Sequence, residues 1–242
     1  MKALPKVEDI DAFLMKESGL PGPRGNIELG QAIADFGDEK LFRRLLSNTP
    51  DVAPVNDPRE FLAFCGAIGM GKLAAGGNTE ALDTIRSLAS DPRWRIREGV
   101  AMALQRLGMK DMGRLLNAME EWSAGNPLEQ RAAAAALCEP ALLKNKKDVV
   151  RVLAILDRIT ESVDAVENRK SEEFIALKKG LGYCWSVAAA AYPEEGKRAM
   201  EKWFSSKDKD IIWIMKENLN KNRLEKADAA WVAQWKGRFG IR

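Results

Sequence analysis

The sequence predicts an all-α protein, a right-handed α-α superhelix built from helix pairs. Ala, Leu, Lys and Glu are frequent, only two Tyr occur, and runs of Val, Ile or Thr are few, which disfavours β-sheet. A sequence signal for the start of a helix occurs three times, as Asp57-Pro58, Asp91-Pro92 and Asn126-Pro127, at spacings of 34 and 35 residues. Asp and Asn accept hydrogen bonds from the free amides of a helix start, where Pro gives up an amide that would lack a partner. A period of this length is typical of a solenoid, whose curved inner surface binds a ligand.

Apolar residues recur at helical spacing along most of the chain, with short breaks between the segments. Residues 1–25 contain six Pro and Gly, so we expect an irregular N-terminal arm after a short amphipathic piece. A single repeat domain is expected over residues 26–242. Its helices are predicted near 26–36, 39–46, 58–76, 79–89, 92–108, 111–123, 127–143, 147–166, 173–191, 193–204, 209–220 and 225–238.

Turn signals and stripes of apolar residues support these predicted helices, taken here in chain order. Prolines at 50, 54 and 58 separate the first two helices from the first clear repeat, and Gly76-Gly77 ends that repeat's first helix. The predicted inward stripes are Leu82, Ile85, Leu88 and Ala89, then Met112, Leu115, Leu116, Met119 and Trp122, then Val149, Val152, Leu153, Leu156, Ile159 and Val163. Because each link is short, consecutive helices must be antiparallel neighbours.

The composition excludes several kinds of chemistry. With no histidine, the chain lacks Ser-His and Cys-His nucleophile pairs and any imidazole metal ligand. The three cysteines, Cys65, Cys138 and Cys184, are odd in number and lie in helical stretches, which predicts small buried hydrophobes rather than disulfides or zinc ligands. No apolar run approaches the ~20 residues of a membrane span. We therefore expect a cytoplasmic protein with no metal, no cofactor and no membrane contact.

Positive charge is concentrated at the C-terminal end. Residues 196–242 contain 12 Lys and Arg against 6 Asp and Glu, a net charge of +6, so the preceding residues carry −3 of the total of +3. Four of the seven Trp lie in the same stretch, at 203, 213, 231 and 235. Such a segment either attracts a polyanion or is a solvated face whose aromatic residues seal the end of a repeat array.

The segment SDPRWRIREGVAMALQRLG, residues 90–108, resembles the second helix of a HEAT repeat. In that family an Asp precedes a helix with an apolar-Arg pair, here Ile96-Arg97, then small residues, Leu and a terminal Gly. The resemblance implies that Asp91, Arg97 and Arg131 link successive repeats as an internal ladder. It also implies that second helices line a concave side, here the predicted helices 58–76, 92–108, 127–143, 178–191 and 209–220.

The length, the all-helical layout and the basic, Trp-rich end also resemble the DNA alkylation repair glycosylase group of HEAT-like superhelices. Those enzymes hold duplex DNA in the concavity and use Trp residues and an Asp to recognise and release a cationic alkylated base. Trp94 to Glu98 is similar to their Trp-x-x-x-Asp motif, with Glu in place of Asp, which adds one methylene and moves the carboxylate. The resemblance makes Trp94 and Glu98 the candidates for catalysis.

A helical wheel places these two residues on a surface of their own. Ile96, Val100, Ala103, Leu104 and Leu107 form the apolar stripe, and Trp94, Glu98, Ala101 and Gln105 fall on the opposite face. A Trp beside a carboxylate and flanked by arginines can stack on a base while the arginines hold phosphates. Alternatively, Glu98 pairs with a neighbouring Arg. The predicted binding residues are Arg93, Trp94, Arg97, Glu98, Gln105 and Arg131, and Arg95 flanks them.

Two functions follow from these patterns. The sequence favours a non-enzymatic HEAT-like scaffold that holds a macromolecular partner, most readily a protein, on its concave face. The alternative is a nucleic-acid-binding protein, in its most specific form a divergent DNA alkylation repair glycosylase. The two differ in salt dependence, because only a phosphate-binding surface loses affinity steeply with ionic strength.

Overall fold

The structure, a computed structural model, describes residues 9–241. Over this range the chain is helical with no strand, and it divides into two compact units between Lys110 and Asp111. The helices of the first unit are α1 (Ile10–Lys16), α2 (Ile27–Phe36), α3 (Glu39–Leu46), α4 (Glu60–Ala75), α5 (Thr79–Leu88) and α6 (Trp94–Lys110).

Helix α4 is the centre of the first unit because it is apolar on every side. All of its residues from Glu60 to Gly71 are buried, and α2, α3, α5 and α6 pack around it. Gly71 permits the approach of α6, since a Cβ there would lie 2.5 Å from the Cα atom of Ala103. The glycines at 66–71 therefore serve close helix packing.

The repeated Asp-Pro signal builds the same local structure twice. The carboxylate of Asp57 accepts hydrogen bonds from the backbone N–H of Arg59, at 2.8 Å, and from its guanidinium. Asp91 makes the equivalent bonds to Arg93. Helices α4 and α6 begin two residues later than the prolines predicted, because these Asp–Arg turns occupy the intervening positions.

The helices of the second unit are α7 (Met112–Trp122), α8 (Pro127–Leu137), α9 (Lys146–Ser162), α10 (Glu172–Ala191), α11 (Pro193–Trp203), α12 (Lys209–Leu219), α13 (Asn222–Ala227) and α14 (Ala229–Arg238). Helix α10 is central and packs against α8, α9, α11 and α12. The fully buried indole of Trp185 donates its Nε1–H to Thr160 Oγ1 at 3.0 Å. The stripes predicted for α7 and α9 are buried at Leu115, Leu116, Met119, Trp122, Val149, Val152, Leu153, Leu156, Ile159 and Val163.

Two predicted helices in the second unit differ from the structure. Helix α8 begins at Pro127 with a full capping box made by Asn126 and Glu129, but it ends at Leu137 rather than near residue 143. Pro140 follows closely, and a proline disfavours helical backbone before it. The predicted closing helix is divided into α13 and α14 because Asp228 interrupts it and caps α14, accepting from the N–H of Trp231 at 3.0 Å.

The predicted N-terminal arm is folded onto the first unit where the structure describes it. Leu14 of α1 and Ser18 after it are buried, and α1 contacts α4. The backbone N–H of Asn26 donates to the carbonyl of Ser18 at 2.8 Å, which holds the irregular stretch between them as a loop. Residues 1–8 of this predicted arm lie outside the described range.

Two composition-based expectations can be compared with the structure. Each cysteine is buried and has a free thiol, as predicted for cysteines that serve as small hydrophobic residues. Burial raises the pKa of the Cys65 thiol well above its ordinary value. Across residues 9–241, none of the helices has the length and apolar character that crossing a membrane requires.

Candidate functional site

Helix α6 presents the two faces that its sequence predicts. Ile96 and the rest of its stripe are buried, whereas Trp94 is 43% exposed and Glu98 is half-buried. Ala101, predicted on the open face, is buried instead. The open face is therefore interrupted at Ala101 and is exposed again near the end of the helix at Met109.

Trp94 and Glu98 line one pocket of the first unit, with an accessible volume of about 360 Å³. Phe61 and Phe64 of α4 form its aromatic wall, with ring centroids 5.8 Å apart and planes inclined by 27°. Met102 of α6 adds a flexible apolar side chain. The remaining wall is the N-terminal loop and the start of α2, which contribute Pro23, Arg24, Gly25 and Ile27.

Arg95 fixes these walls to one another. Its Nη1 atom lies 3.1 Å from Oε2 of Glu60, a residue with no exposed surface, and its Nη2 atom donates to the carbonyl of Gly22. The Arg95 guanidinium also lies over the Trp94 ring, 4.3 Å from its centroid. Glu60 Oε2 further accepts the N–H of Asn56 at 2.8 Å. One buried side chain thus joins α4, α6 and the loop.

The structure corrects the expectation for Arg93, which was predicted to contact a ligand. The side chain is 3% exposed and bidentate to Asp91, and its Nη1 donates to the carbonyls of Asn48 and Ala53 at 2.7 and 3.0 Å. Through these bonds, Arg93 holds the preceding loops in place. Arg97 lies half-buried, and its Nη1 donates to the carbonyls of Asp91 and Pro92 at 2.7 and 2.9 Å.

Gln105 is not among the residues that line this pocket. Gln105 is half-buried two turns beyond Glu98 on α6. Arg131 is part of α8 in the second unit, where a Cβ at Gly180 of α10 would lie 3.4 Å from its Cγ. The structure therefore brings together Trp94 and Glu98 of the predicted set and adds Arg95 to them.

The pocket has the chemistry of a site for a planar group. Most of its lining is apolar or aromatic, and Glu98 contributes a carboxylate. At the rim, Arg24 pairs with Glu28 at 2.9 Å, and both side chains are largely exposed. Phe61 and Phe64 are buried, so Trp94 is the lining ring with open surface, and such an indole favours a flat ring. A carboxylate favours a ring with N–H donors or positive charge. Within residues 9–241 there is no cluster of three or more side chains suited to hold a metal ion.

Sequence reasoning missed the loop and Glu60 as parts of this site. The Pro and Gly content of residues 19–25 indicated an irregular arm and carried no information about where it would pack. Glu60 had one detectable signal, since it is a single charge in the otherwise apolar first half of α4. A lone buried charge requires a partner, and Arg95 is that partner.

Comparison with known proteins bears on the fold. Neither a family model nor a curated protein matches the sequence. The structure is similar to the crystal structure of AlkD2 from Streptococcus mutans, with a TM-score of 0.64 and 19% sequence identity over 87% of this chain and 96% of that one. This likeness confirms the predicted all-α helical-repeat fold. The assignment of individual helices to the HEAT family stays a prediction.

Proposed function

We propose that this protein is a HEAT-like nucleic-acid-binding protein that contacts DNA with the open face of α6. The observation that carries the proposal is that Trp94 and Glu98 line the same pocket. This pair is the part of the sequence that resembles the DNA alkylation repair group, and AlkD2, by its name, points to the same group. Nucleic-acid binding, the alternative function that the sequence predicts, is therefore favoured over a scaffold for a protein partner, for which the comparisons offer no support.

The chemistry of the pair suits a damaged base. An exposed indole provides a stacking surface that accepts any base, worth about 1–3 kcal/mol per base. A carboxylate beside it stabilises positive charge, either on an alkylated ring or on a sugar as its base departs. Glu98 is one methylene longer than the family's Asp, so binding of the base is the primary proposal and base release is the stricter one.

The test of binding is a salt titration with duplex DNA. We expect the parent protein to lose affinity linearly in log–log form as salt concentration rises, since phosphate contacts release counterions. Trp94→Ala should weaken binding about tenfold or more. Phe36→Ala, which removes an exposed aromatic side chain at the C-terminal end of α2, is the matched control and should bind as the parent does. Absence of duplex binding at low salt would exclude the proposal.

The enzymatic form has its own assay. Duplex DNA carrying N-methylated purines is incubated with the parent and with Glu98→Gln, and free base is measured by chromatography. The carboxylate role predicts release by the parent and loss of at least tenfold in the variant. If the parent releases no base while it still binds DNA, the protein is a binding module without glycosylase chemistry.

A further inference from the structure

We infer that Cys138 and Cys184 of the second unit form a redox-sensitive pair, which a hydroperoxide converts into a disulfide that links the end of α8 to α10. This chemistry needs no DNA, so it goes beyond the proposed function and does not depend on it. Composition treats the three cysteines as equivalent small hydrophobes, whereas the structure brings two of them together.

The two thiols meet where α8 packs against α10. Cys138 is the C-cap of α8, Cys184 lies in α10, and a hydrogen bond links their thiols. Both side chains are almost completely buried. Thiols that already touch need only a small approach to reach the geometry of a disulfide. Cys65 belongs to α4 of the first unit and provides an internal control.

The two sides of the pair differ in how firmly they are held. The buried Asn218 of α12 bonds to α10 on either side of Cys184. Its Nδ2 donates to the carbonyl of Leu181 at 2.8 Å, and its Oδ1 accepts from the N–H of Ser186 at 2.7 Å. Cys138, in contrast, lies just outside α8, at the start of the irregular segment that leads to α9. The end of α8 can therefore move toward α10 while α10 stays in place.

The pair lies close to the surface and beside a cation. Tyr183, which precedes Cys184, is 44% exposed, and the Arg223 guanidinium lies 4.3 Å from the centroid of its ring. Burial and the hydrogen bond to Cys184 raise the pKa of the Cys138 thiol well above its ordinary value, whereas the charge of Arg223 acts in the opposite direction. Because this cation favours the Cys138 thiolate, Cys138 is the first thiol to react.

Hydrogen peroxide balances the reaction as the oxidant. The Cys138 thiolate attacks one peroxide oxygen, the O–O bond breaks, and the other oxygen leaves as water after it takes up a proton, which gives a sulfenic acid. The Cys184 sulfur then attacks the sulfenic sulfur, and its proton leaves with the displaced hydroxyl as a second water. The two thiols lose two electrons, which the peroxide gains. Since the attacking group is a thiolate, oxidation is slow at neutral pH and faster as the pH rises.

The test treats the full chain with excess hydrogen peroxide, alkylates the remaining thiols, and maps disulfides by mass spectrometry without a reductant. We expect a crosslink between residues 138 and 184 within one chain, formed faster at higher pH and reversed by dithiothreitol. Cys138→Ser and, independently, Cys184→Ser should each abolish it, and Cys65→Ser should retain it. Unchanged thiols at raised pH, oxidation to sulfinic acid without a crosslink, or a disulfide between two chains would each overturn the inference.

The disulfide should also change stability. It closes the chain between residues 138 and 184 and thereby restricts the unfolded state. We expect the oxidised parent to unfold at a temperature about 5 °C or more above that of the reduced parent. This increase should be absent from peroxide-treated Cys184→Ser. If the crosslink forms but the unfolding temperature falls, the bond distorts the contact between α8 and α10, and the pair is not built to close.

The role of Arg223 has a separate test. Arg223→Gln should slow disulfide formation by about twofold or more, because the thiolate population falls and the gain in thiolate nucleophilicity offsets only part of that loss. Lys226→Gln, which removes an exposed cation of the same helix, α13, is the matched control and should react at the parent rate. Equal rates for the two variants would overturn the assignment of Cys138 as the first thiol to react.

Discussion

The buried ion pair between Arg95 and Glu60 provides the sharpest prediction about what holds the site together. The Arg95 side chain is 5% exposed and that of Glu60 is 0% exposed, with 3.1 Å between Nη1 and Oε2. Arg95→Met removes the charge and keeps most of the stem. Glu60 would then be a buried carboxylate with the N–H of Asn56 as its remaining bond.

Removal of one member of a buried ion pair costs about 3–5 kcal/mol because the other charge is left uncompensated. The Oε1 atom of Glu60 and the Nε atom of Arg95 are buried without hydrogen-bond partners, which lowers the net value of the intact pair. We therefore expect Arg95→Met to lower the free energy of unfolding by about 3 kcal/mol, the lower end of that range. The double variant Arg95→Met with Glu60→Gln should recover at least half of this loss.

Urea denaturation of the parent, both single variants and the double variant gives the coupling energy directly. The matched control is Arg24→Met, which breaks the exposed Arg24–Glu28 pair of the same unit. Such surface pairs contribute about 0.3–0.5 kcal/mol. If Arg95→Met and Arg24→Met destabilise the protein equally, the buried pair does not hold the walls of this site together.

Three other predictions concern the fold. Gly71→Ala should lower the free energy of unfolding by about 1–3 kcal/mol, because the added Cβ would lie 2.5 Å from the backbone of α6. Gly113→Ala is the control, since its added Cβ would have its nearest atom at 3.4 Å, and it should raise the free energy of unfolding by about 0.5 kcal/mol. Asn126→Ala should cost about 1 kcal/mol in thermal or urea unfolding, since it removes the capping box of α8, and no loss would show that the cap is dispensable. Side-chain hydrogen bonds from Arg59 lower the pKa of Asp57 from 3.8 to about 2. The stability that Asp57 contributes should therefore be complete above about pH 4 and lost as the pH falls through 2, and Arg59→Gln should raise the carboxyl midpoint measured by NMR.

Much of the local structure could be predicted because helical signals act over a few residues. The stripes of α7 and α9 follow from a 3.6-residue period, and the start of α8 follows from Asn126-Pro127. The i, i+4 placement of Trp94 and Glu98 has the same origin. The break at Asp228 was missed because a cap inside an otherwise helical pattern competes only weakly with that period.

The three arginines that flank Trp94 show where such reasoning ends. The sequence offers all three as phosphate contacts, and the HEAT resemblance also places Arg97 in the ladder between repeats, yet the structure gives Arg93, Arg95 and Arg97 different roles. The first is locked to Asp91, the second joins the pocket walls, and the third binds two carbonyls at the helix start. Successive residues of a helix point about 100° apart, so each of the three arginines meets different neighbours, and those neighbours decide its role.

The sequence by itself determined that this chain is helical, where most helices lie, and that Trp94 and Glu98 share one face of α6, since each of these depends on residues close together in the chain. Only the tertiary structure decided that this face borders a pocket. Its walls come from the N-terminal loop, α4 and α6, and its clamp joins positions 22, 60 and 95. Contacts over such separations are set by how apolar surfaces and one buried charge pair fit together, and no short-range pattern records that fit.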